Sequence, residues 1–222
     1  MIYPTLYHVL HIDGTPCNGG KGRWHLPKDG KPGKWMLTLQ PPLIPREHAY
    51  HLCTRDQLVR WLGPAIFEVE LFPGVTAVDH CGSQLVTLGP VRLVRRLYAD
   101  TWTERTQRLL ACDSAEHVLS IYEAQYPGDT RPRDCIAVAR RYAVGDATDA
   151  ECRAAQAAAG VSRDAVGAAR GAAWAARHTT WTTVGAAWAT VGAARVAARG
   201  AAWEAEWRWQ TERLWHYLDD AA

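Results

Sequence analysis

The chain has 222 residues, of which 48% are hydrophobic and 22% are charged, with a formal net charge of +2. These values predict a folded globular protein with a packed core, and they exclude an overall charge strong enough to hold nucleic acid or an anionic membrane. The chain has eleven tryptophans but only two phenylalanines. Alanine is concentrated almost wholly after residue 134, which indicates two regions of different composition.

The six cysteines and the first residues both indicate a cytoplasmic protein. No two cysteines form a Cys-x-x-Cys pair, and a chain of this size does not need disulfides, so reduced thiols are expected. The pairs His51/Cys53 and His80/Cys81 lack zinc-finger or zinc-ribbon spacing, so no metal site is predicted. Polar residues interrupt the apolar ones before residue 14, and no run of about 20 apolar residues occurs, so neither a signal peptide nor a membrane span is expected.

Residues 1–99 are predicted as a small, mostly β-sheet domain. The Asp-Gly and Pro-Gly steps in residues 28–33 are typical of a hairpin or loop, and Thr54 is a candidate cap for a short helix that ends at Gly63. Residues 66–71 alternate apolar and acidic side chains, which is the pattern of a strand with one buried face. Further strands are predicted at residues 6–10, 75–78, 85–88 and 91–98.

Residues 100–222 are predicted as a helical domain. Thr101, Asp113 and Thr148 each precede a glutamate by three residues, which is the spacing of a capping box and predicts three helix N-termini. A further helix is predicted to end at Gly145, and Pro132 suits the first turn of that helix. The predicted fold class is therefore α+β, with a domain boundary between residues 99 and 100.

A repeated Gly-Ala-Ala-Trp/Arg motif marks the final third of the chain. Trp174, Trp181 and Trp188 fall seven residues apart, so on a helix the three indoles form one stripe that drifts by only ~20° per heptad. The pattern predicts one long C-terminal helix over residues 162–218, with a break near residues 179–183 as the alternative. The stripe either binds another chain or packs inside this one. The candidate partner-binding residues are Arg170, Trp174, Arg177, Trp181, Trp188 and Arg195.

A second candidate site lies in the N-terminal domain. Glu68 and Glu70 share one face of the predicted strand, where His8 and His51 are expected to approach them. A Tyr-His step on an opening strand, His-Leu-Cys-Thr before a short helix and a Glu-x-Glu strand, in this order, resemble ADP-ribosyltransferases. The resemblance implies that His8 and Tyr50 contact NAD and that Glu70 polarises its ribose. The alternative is that Glu68 and Glu70 have no catalytic role and form an exposed acidic face of the strand.

A further family resemblance lies in the helical domain. Residues 109–119 (LLACDSAEHVL) and 129–143 (DTRPRDCIAVARRYA), followed by the Ala/Trp repeats, resemble an immunity-protein family of bacterial and phage accessory genes. The resemblance implies an all-α region and a protein ligand, but no enzyme mechanism. The front of the chain, with KPGKW at residues 31–35, resembles an uncharacterised domain that is found with this family.

Three functional hypotheses follow from these patterns. The preferred one is a non-enzymatic protein-binding or assembly factor, immunity-like or phage-associated, which needs no cofactor and contacts another protein or a second copy of itself through the Trp-rich helix. The first alternative is an NAD-dependent ADP-ribosyltransferase that uses His8, Tyr50 and Glu70. The second alternative is nucleic-acid binding, in which the arginines of the Trp-rich helix hold phosphates and the indoles stack on bases.

Overall fold

The protein is represented by a computed structural model, which describes residues 5–45, 47–159 and 201–219. The chain divides into two compact units, Met1–Ala99 and Asp100–Ala222. Strands and one short 3-10 helix make up the described part of the first unit, and α-helices make up that of the second. The predicted α+β class, with β-sheets before helices, is confirmed.

The first unit contains two three-stranded antiparallel sheets. The strands are β1 (Leu6–Leu10), β2 (Tyr50–Leu52), β3 (Ala65–Leu71), β4 (Val78–His80), β5 (Gln84–Thr87) and β6 (Val91–Leu97). In one sheet the strand order is β1-β3-β6, and in the other it is β2-β5-β4. The short helix predicted after Thr54 is the 3-10 helix Arg55–Arg60.

Strand β3 has the buried apolar face that its alternating sequence predicts. Phe67 and Val69 are buried in a core with Leu6 and Leu10 of β1, and Trp24 completes one side of this core. Because side chains alternate along a strand, Glu68 and Glu70 lie on the opposite face. The register pairs His8 with Phe67, which places His8 on the core face and not on the glutamate face.

The predicted turn at residues 28–33 is a two-residue hairpin. Asp29 and Gly30 both have positive φ angles, 51° and 71°, as a primed turn requires, and one isolated β-bridge between Lys28 and Lys31 closes the turn. Lys28 and Lys31 exchange backbone hydrogen bonds of 3.0 and 2.9 Å on either side of the turn. The amide of Gly33 then donates to a carbonyl of β6, which ties the hairpin to the sheet.

The described part of the second unit contains five helices. Helix α3 packs against both α1 and α4, and Cys112, Cys135 and Cys152 of these helices are buried. Burial raises the pKa of the Cys112 thiol to about 12, which keeps it protonated and unreactive at neutral pH. The helices are α1 (Glu104–His117), α2 (Leu119–Gln125), α3 (Arg131–Val144), α4 (Asp149–Ala159) and α5 (Ala201–Asp219).

The end of α3 and the start of α4 follow the predicted signals. Gly145 ends α3 in the left-handed conformation, and Pro132 lies in its first turn. Thr148 and Glu151 form the predicted reciprocal cap: the Thr148 amide donates to the Glu151 carboxylate (2.7 Å), and the Glu151 amide donates to the Thr148 hydroxyl (3.2 Å).

Two predicted helix starts are wrong. Helix α1 is capped by Thr103 and not by Thr101, because the Thr106 hydroxyl accepts from the Thr103 amide at 2.8 Å and fulfils the role predicted for Glu104. Asp113 caps no helix but lies inside α1, where its carboxylate is engaged by other helices. The three-residue spacing from Asp113 to Glu116 matches a capping box. Asp113 is instead buried inside α1 and binds side chains of other helices.

The Trp174, Trp181 and Trp188 stripe and the whole segment 160–200 lie outside the described residues. The predicted long helix over residues 162–218 is therefore described only in its last part, as α5. Within the described helices, none combines the length and the apolar character needed to cross a membrane.

Candidate functional site

The strongest polar cluster of the helical unit is centred on Asp113. Its side chain is only 5% exposed, and three groups surround its carboxylate. Arg140 of α3 lies 2.6 Å from Oδ1, Arg213 Nε of α5 lies 2.5 Å from Oδ2, and the Tyr217 hydroxyl donates to Oδ2 at 2.7 Å. One carboxylate of α1 thus joins two other helices.

The electrostatics of this cluster keep every donor protonated. Burial would lower the pKa of the Arg140 and Arg213 guanidiniums, but hydrogen bonds and the charge of Asp113 raise it above the usual value. Burial, assisted by the hydrogen bond to Asp113, raises the pKa of Tyr217 to about 12. A buried carboxylate is stable only when opposite charges and hydrogen-bond donors compensate its own charge, as they do for Asp113.

A second polar cluster joins α1 to α5 one turn further along. Glu206 is buried, and its two carboxylate oxygens are each engaged: His117 Nδ1 lies 2.5 Å from one, and Gln210 donates to the other at 2.7 Å. The His117 ring also stacks on Trp209, with ring centroids 3.8 Å apart and planes only 7° from parallel. Leu214 and Leu218 of α5 are also buried.

These two clusters join α1 to α3 and α5. The Asp113 carboxylate contacts three side chains of the unit, and the Glu206 carboxylate contacts two. Sequence reasoning missed both clusters, since Asp113 is separated from Arg213 by 100 residues. The one available signal was the charge of Asp113 directly after the apolar run of residues 109–112.

In the N-terminal unit, the structure brings His8 and Tyr50 together around Trp24. The His8 ring lies 4.2 Å from Trp24 between centroids, and the Tyr50 ring lies 5.6 Å from it on an edge. The His8 Nε2 atom is buried and has no hydrogen-bond partner in the described structure. Burial lowers the pKa of His8 to about 4, so the imidazole is neutral at pH 7. The Tyr50 hydroxyl donates to the carbonyl of Leu37 at 2.7 Å.

Glu70 does not join His8 and Tyr50. It lies on the other face of β3, where Arg92 Nε donates to its carboxylate at 2.7 Å. The Arg92 guanidinium also lies 4.3 Å above the Trp35 ring, which in turn contacts Phe72 edge-on at 5.2 Å. The expected approach of His8 to the glutamate face is not observed, because the β1–β3 register directs His8 to the core.

His51 lies on β2 and Cys53 directly follows it, whereas His80 is the last residue of β4 and Cys81 lies in the turn after it. Cys53 is buried and Cys81 is exposed. Within the described ranges, no group of three His, Cys, Asp or Glu side chains is arranged to hold a metal ion.

Comparison with protein families identifies the helical unit. A family model described as "Imm-5 like putative immunity protein" matches residues 100–216, which is more than half of the chain. The chain belongs to this Imm-5 like family. The immunity-protein resemblance of the helical domain is thereby confirmed, whereas the match does not reach residues 1–99. No curated protein and no solved structure matches the chain.

The matched span contains most of the features described above for the Imm-5 like unit. It includes Asp113, Arg140 and Arg213 and ends one residue before Tyr217. It also includes all six candidate partner-binding residues of the segment 170–195, which lie outside the described residues.

Proposed function

We propose that the Imm-5 like unit binds another protein and blocks its activity, as an immunity protein does, without catalysing a reaction. The observation that carries this proposal is the family match over residues 100–216. The geometry supports it, because the buried carboxylates of Asp113 and Glu206 are used to fix helices against each other. A rigid helical scaffold of this kind presents a preorganised surface, which lowers the cost of binding a partner.

The proposed contact surface is the Trp-rich segment, with Trp174, Trp181 and Trp188 as anchors. Tryptophan and arginine dominate the binding energy of protein interfaces, because they bury large areas and offer specific polar contacts. Arg170 and Arg177, placed four residues before two of the tryptophans, supply the polar part of the same surface. The partner in this proposal is a toxin-like protein, and self-association is the competing use of the stripe.

The test compares the parent chain with a triple Trp174, Trp181 and Trp188 to Ala variant. The purified parent is used to isolate a partner, the partner is then produced separately, and complex formation and partner activity are measured by calorimetry and by growth inhibition in cells. We expect the parent to form a stoichiometric complex in which the partner's toxicity is lost. The Trp variant is expected to bind at least a hundredfold more weakly, since hot-spot tryptophans cost about 2 kcal/mol or more each.

A matched control keeps this test specific. Replacing Thr179, Thr182 and Thr183 by alanine changes three residues of the same segment without removing an indole. The control should bind as the parent does. Equal binding by the Trp variant, or a complex that leaves the partner fully active, would contradict the proposal.

A second candidate function is NAD-dependent ADP-ribosyl transfer by the N-terminal unit. It is favoured by one observation, the meeting of His8 and Tyr50 around Trp24. It is opposed by the pairing of Glu70 with Arg92 on the other face of the sheet. Incubation of the parent and of Glu70→Gln with labelled NAD tests it, and equal background labelling by both proteins would exclude it.

A further inference from the structure

The exposed end of α1 carries a histidine that uses only one of its two ring nitrogens within the described residues. His117 is the last residue of α1, and its side chain is 39% exposed. Its Nδ1 atom lies 2.5 Å from the carboxylate of the buried Glu206. Because a carboxylate only accepts hydrogen bonds, Nδ1 carries the proton, and in the neutral ring the lone pair remains on Nε2. No described residue donates to that Nε2 atom.

The His117 ring is held in one orientation from two sides. Trp209 stacks on it with planes 7° from parallel, and the second oxygen of Glu206 accepts from Gln210 at 2.7 Å. Histidines that bind metal ions are oriented in this way, with the other ring N–H donated to a fixed carboxylate, which also makes the free nitrogen a stronger ligand. His117 therefore presents a lone pair of fixed direction at the surface of the helical unit.

The charges around His117 favour a positive ligand. The C-terminal end of a helix is the negative end of its dipole, and His117 lies at this end of α1. In the ion pairs that α1 makes with α3 and α5, three carboxylates are balanced by only two guanidiniums. The carboxylates are those of Asp113, Glu116 and Glu206, and the guanidiniums are those of Arg140 and Arg213. A phosphate or a carboxylate would be repelled here, whereas a metal ion would be attracted.

We propose that Nε2 of His117 binds a metal ion that the protein partner carries, such as Zn²⁺, and this assignment rests on the proposed function, in which the helical unit blocks another protein. The described part of this chain has no set of three ligands that could hold the ion by itself. The remaining ligands therefore belong to the partner. Catalytic metal sites keep one position open for water, and a neutral imidazole is a common ligand of such ions.

Binding would exchange one ligand of the partner's metal ion. The bond from the metal to its water breaks, and the Nε2 lone pair forms a new bond to the metal. The oxidation state of the metal and the proton on Nδ1 stay unchanged. Because a metal-bound water is the nucleophile of many hydrolytic enzymes, its displacement removes their activity. The partner class is then a metal-dependent enzyme with an open coordination position.

The first experiment needs no partner and uses copper(II) iminodiacetate, a chelated ion with open coordination positions, as the probe. NMR of the full chain with ¹⁵N-labelled histidines shows which ring signal the paramagnetic ion broadens. We expect His117 to bind the probe about tenfold more tightly than the exposed His25, because only His117 is supported by Glu206. Glu206→Gln should weaken binding at His117 by about 10–100-fold, since it removes the charge of the supporting carboxylate.

Two further variants make the first experiment specific. His117→Phe should abolish binding at this position and keep a flat ring against Trp209. His25→Gln is the matched control, which removes an exposed histidine of the other unit and should leave binding at His117 unchanged. Urea unfolding shows that each variant is folded, and the comparison of His117 with His25 is made within the parent chain, so it does not depend on any variant.

The second experiment uses the partner isolated with the parent chain, both with its metal ion and after a chelator has removed the ion. We expect His117→Phe to bind the metal-loaded partner about 30-fold more weakly than the parent does, which is the loss typical of a hot-spot residue. The two proteins should bind the metal-free partner equally.

Three results would overturn the proposal. They are equal probe binding at His117 and His25, undiminished probe binding by a folded Glu206→Gln variant, and partner binding that depends neither on the metal nor on His117. The last result would leave the proposed function intact, because the partner would still be bound and blocked. The absence of any blocked partner would instead contradict the proposed function itself.

Discussion

The Nε atom of Arg213 lies 2.5 Å from Oδ2 of Asp113, 100 residues earlier in the chain. This contact, with the Tyr217 hydroxyl on the same oxygen, fastens α5 to the side of α1. The helical unit thus depends on a buried ionic contact in addition to apolar packing. Since a buried charge that loses its partners is costly, the energetics of this contact can be tested directly.

Replacing Asp113 by asparagine should destabilise the helical unit by about 1–2 kcal/mol, because Arg213 and Tyr217 would lose a charged acceptor, whereas Arg140 would keep its ion pair with Glu116. Urea unfolding followed by helical circular dichroism measures the effect. Asp146→Asn is the matched control, since this exposed aspartate lies beyond the end of α3, and its change should stay within about 0.5 kcal/mol. Similar values for the two variants would show that the ionic cluster does not stabilise the unit.

Replacing Tyr217 by phenylalanine should cost about 1 kcal/mol, because Asp113 loses one of its hydrogen-bond donors but keeps both arginines. The same phenol gives a second readout, since burial and Asp113 raise its pKa to about 12. Because burial also raises the pKa of Tyr7 to about 12, a spectrophotometric titration should show one late-ionising tyrosine fewer in the variant than in the parent. Parent and variant titration curves that coincide would argue against the contact.

The buried imidazole of His8 predicts a stability that depends on pH. Its folded-state pKa is about 4, below the usual 6.5, so between these values the unfolded chain binds more protons than the folded one. The contribution of His8 is therefore complete above pH 6.5, and up to about 3 kcal/mol of it is lost as the pH falls to 4. An NMR titration of the labelled ring measures the midpoint, and His8→Gln should remove this part of the pH dependence. A midpoint near 6.5 would show that the ring is solvated.

Replacing Gly33 by alanine should destabilise the N-terminal unit by about 2–4 kcal/mol, because the new methyl group would overlap the His25 carbonyl. Gly74→Ala is an informative comparison: it has open space around it but a φ of 86°, so only the backbone conformation is penalised, by about 1 kcal/mol. Protection of the Gly33 amide from hydrogen exchange reports the change. Equal effects at both sites would rule out the close approach.

Local signals predicted part of the local structure, although two of the three predicted helix starts are wrong. The reciprocal cap of Thr148 and Glu151 and the stop at Gly145 involve residues within a single turn, so the sequence contains everything that determines them. The turn at Asp29 and Gly30 could be predicted for the same reason, because these two residue types readily adopt the positive φ angles that it needs.

Contacts between distant residues were not accessible from the sequence. Asp113 has the spacing of a helix cap, but its partners come from α3 and α5, and only the fold reveals them. The meeting of His8 and Tyr50 and the separation of Glu70 from both depend on the register of β1 against β3, where a shift by one residue would exchange the faces. The resemblance to an immunity-protein family rests on continuous sequence segments of the helical domain, so it could be predicted without knowledge of these contacts.

The fastening of α5 to α1 also has a consequence for synthesis on the ribosome. Asp113 is made 100 residues before Arg213, which at ordinary translation rates of about 5–20 residues per second is a delay of roughly 5–20 s. During this interval the nascent helices have Arg140 to neutralise Asp113 but lack the last helix that shields it. The helical unit therefore reaches its native state only after α5 has been made, and chaperones have that long to bind the open face of α1.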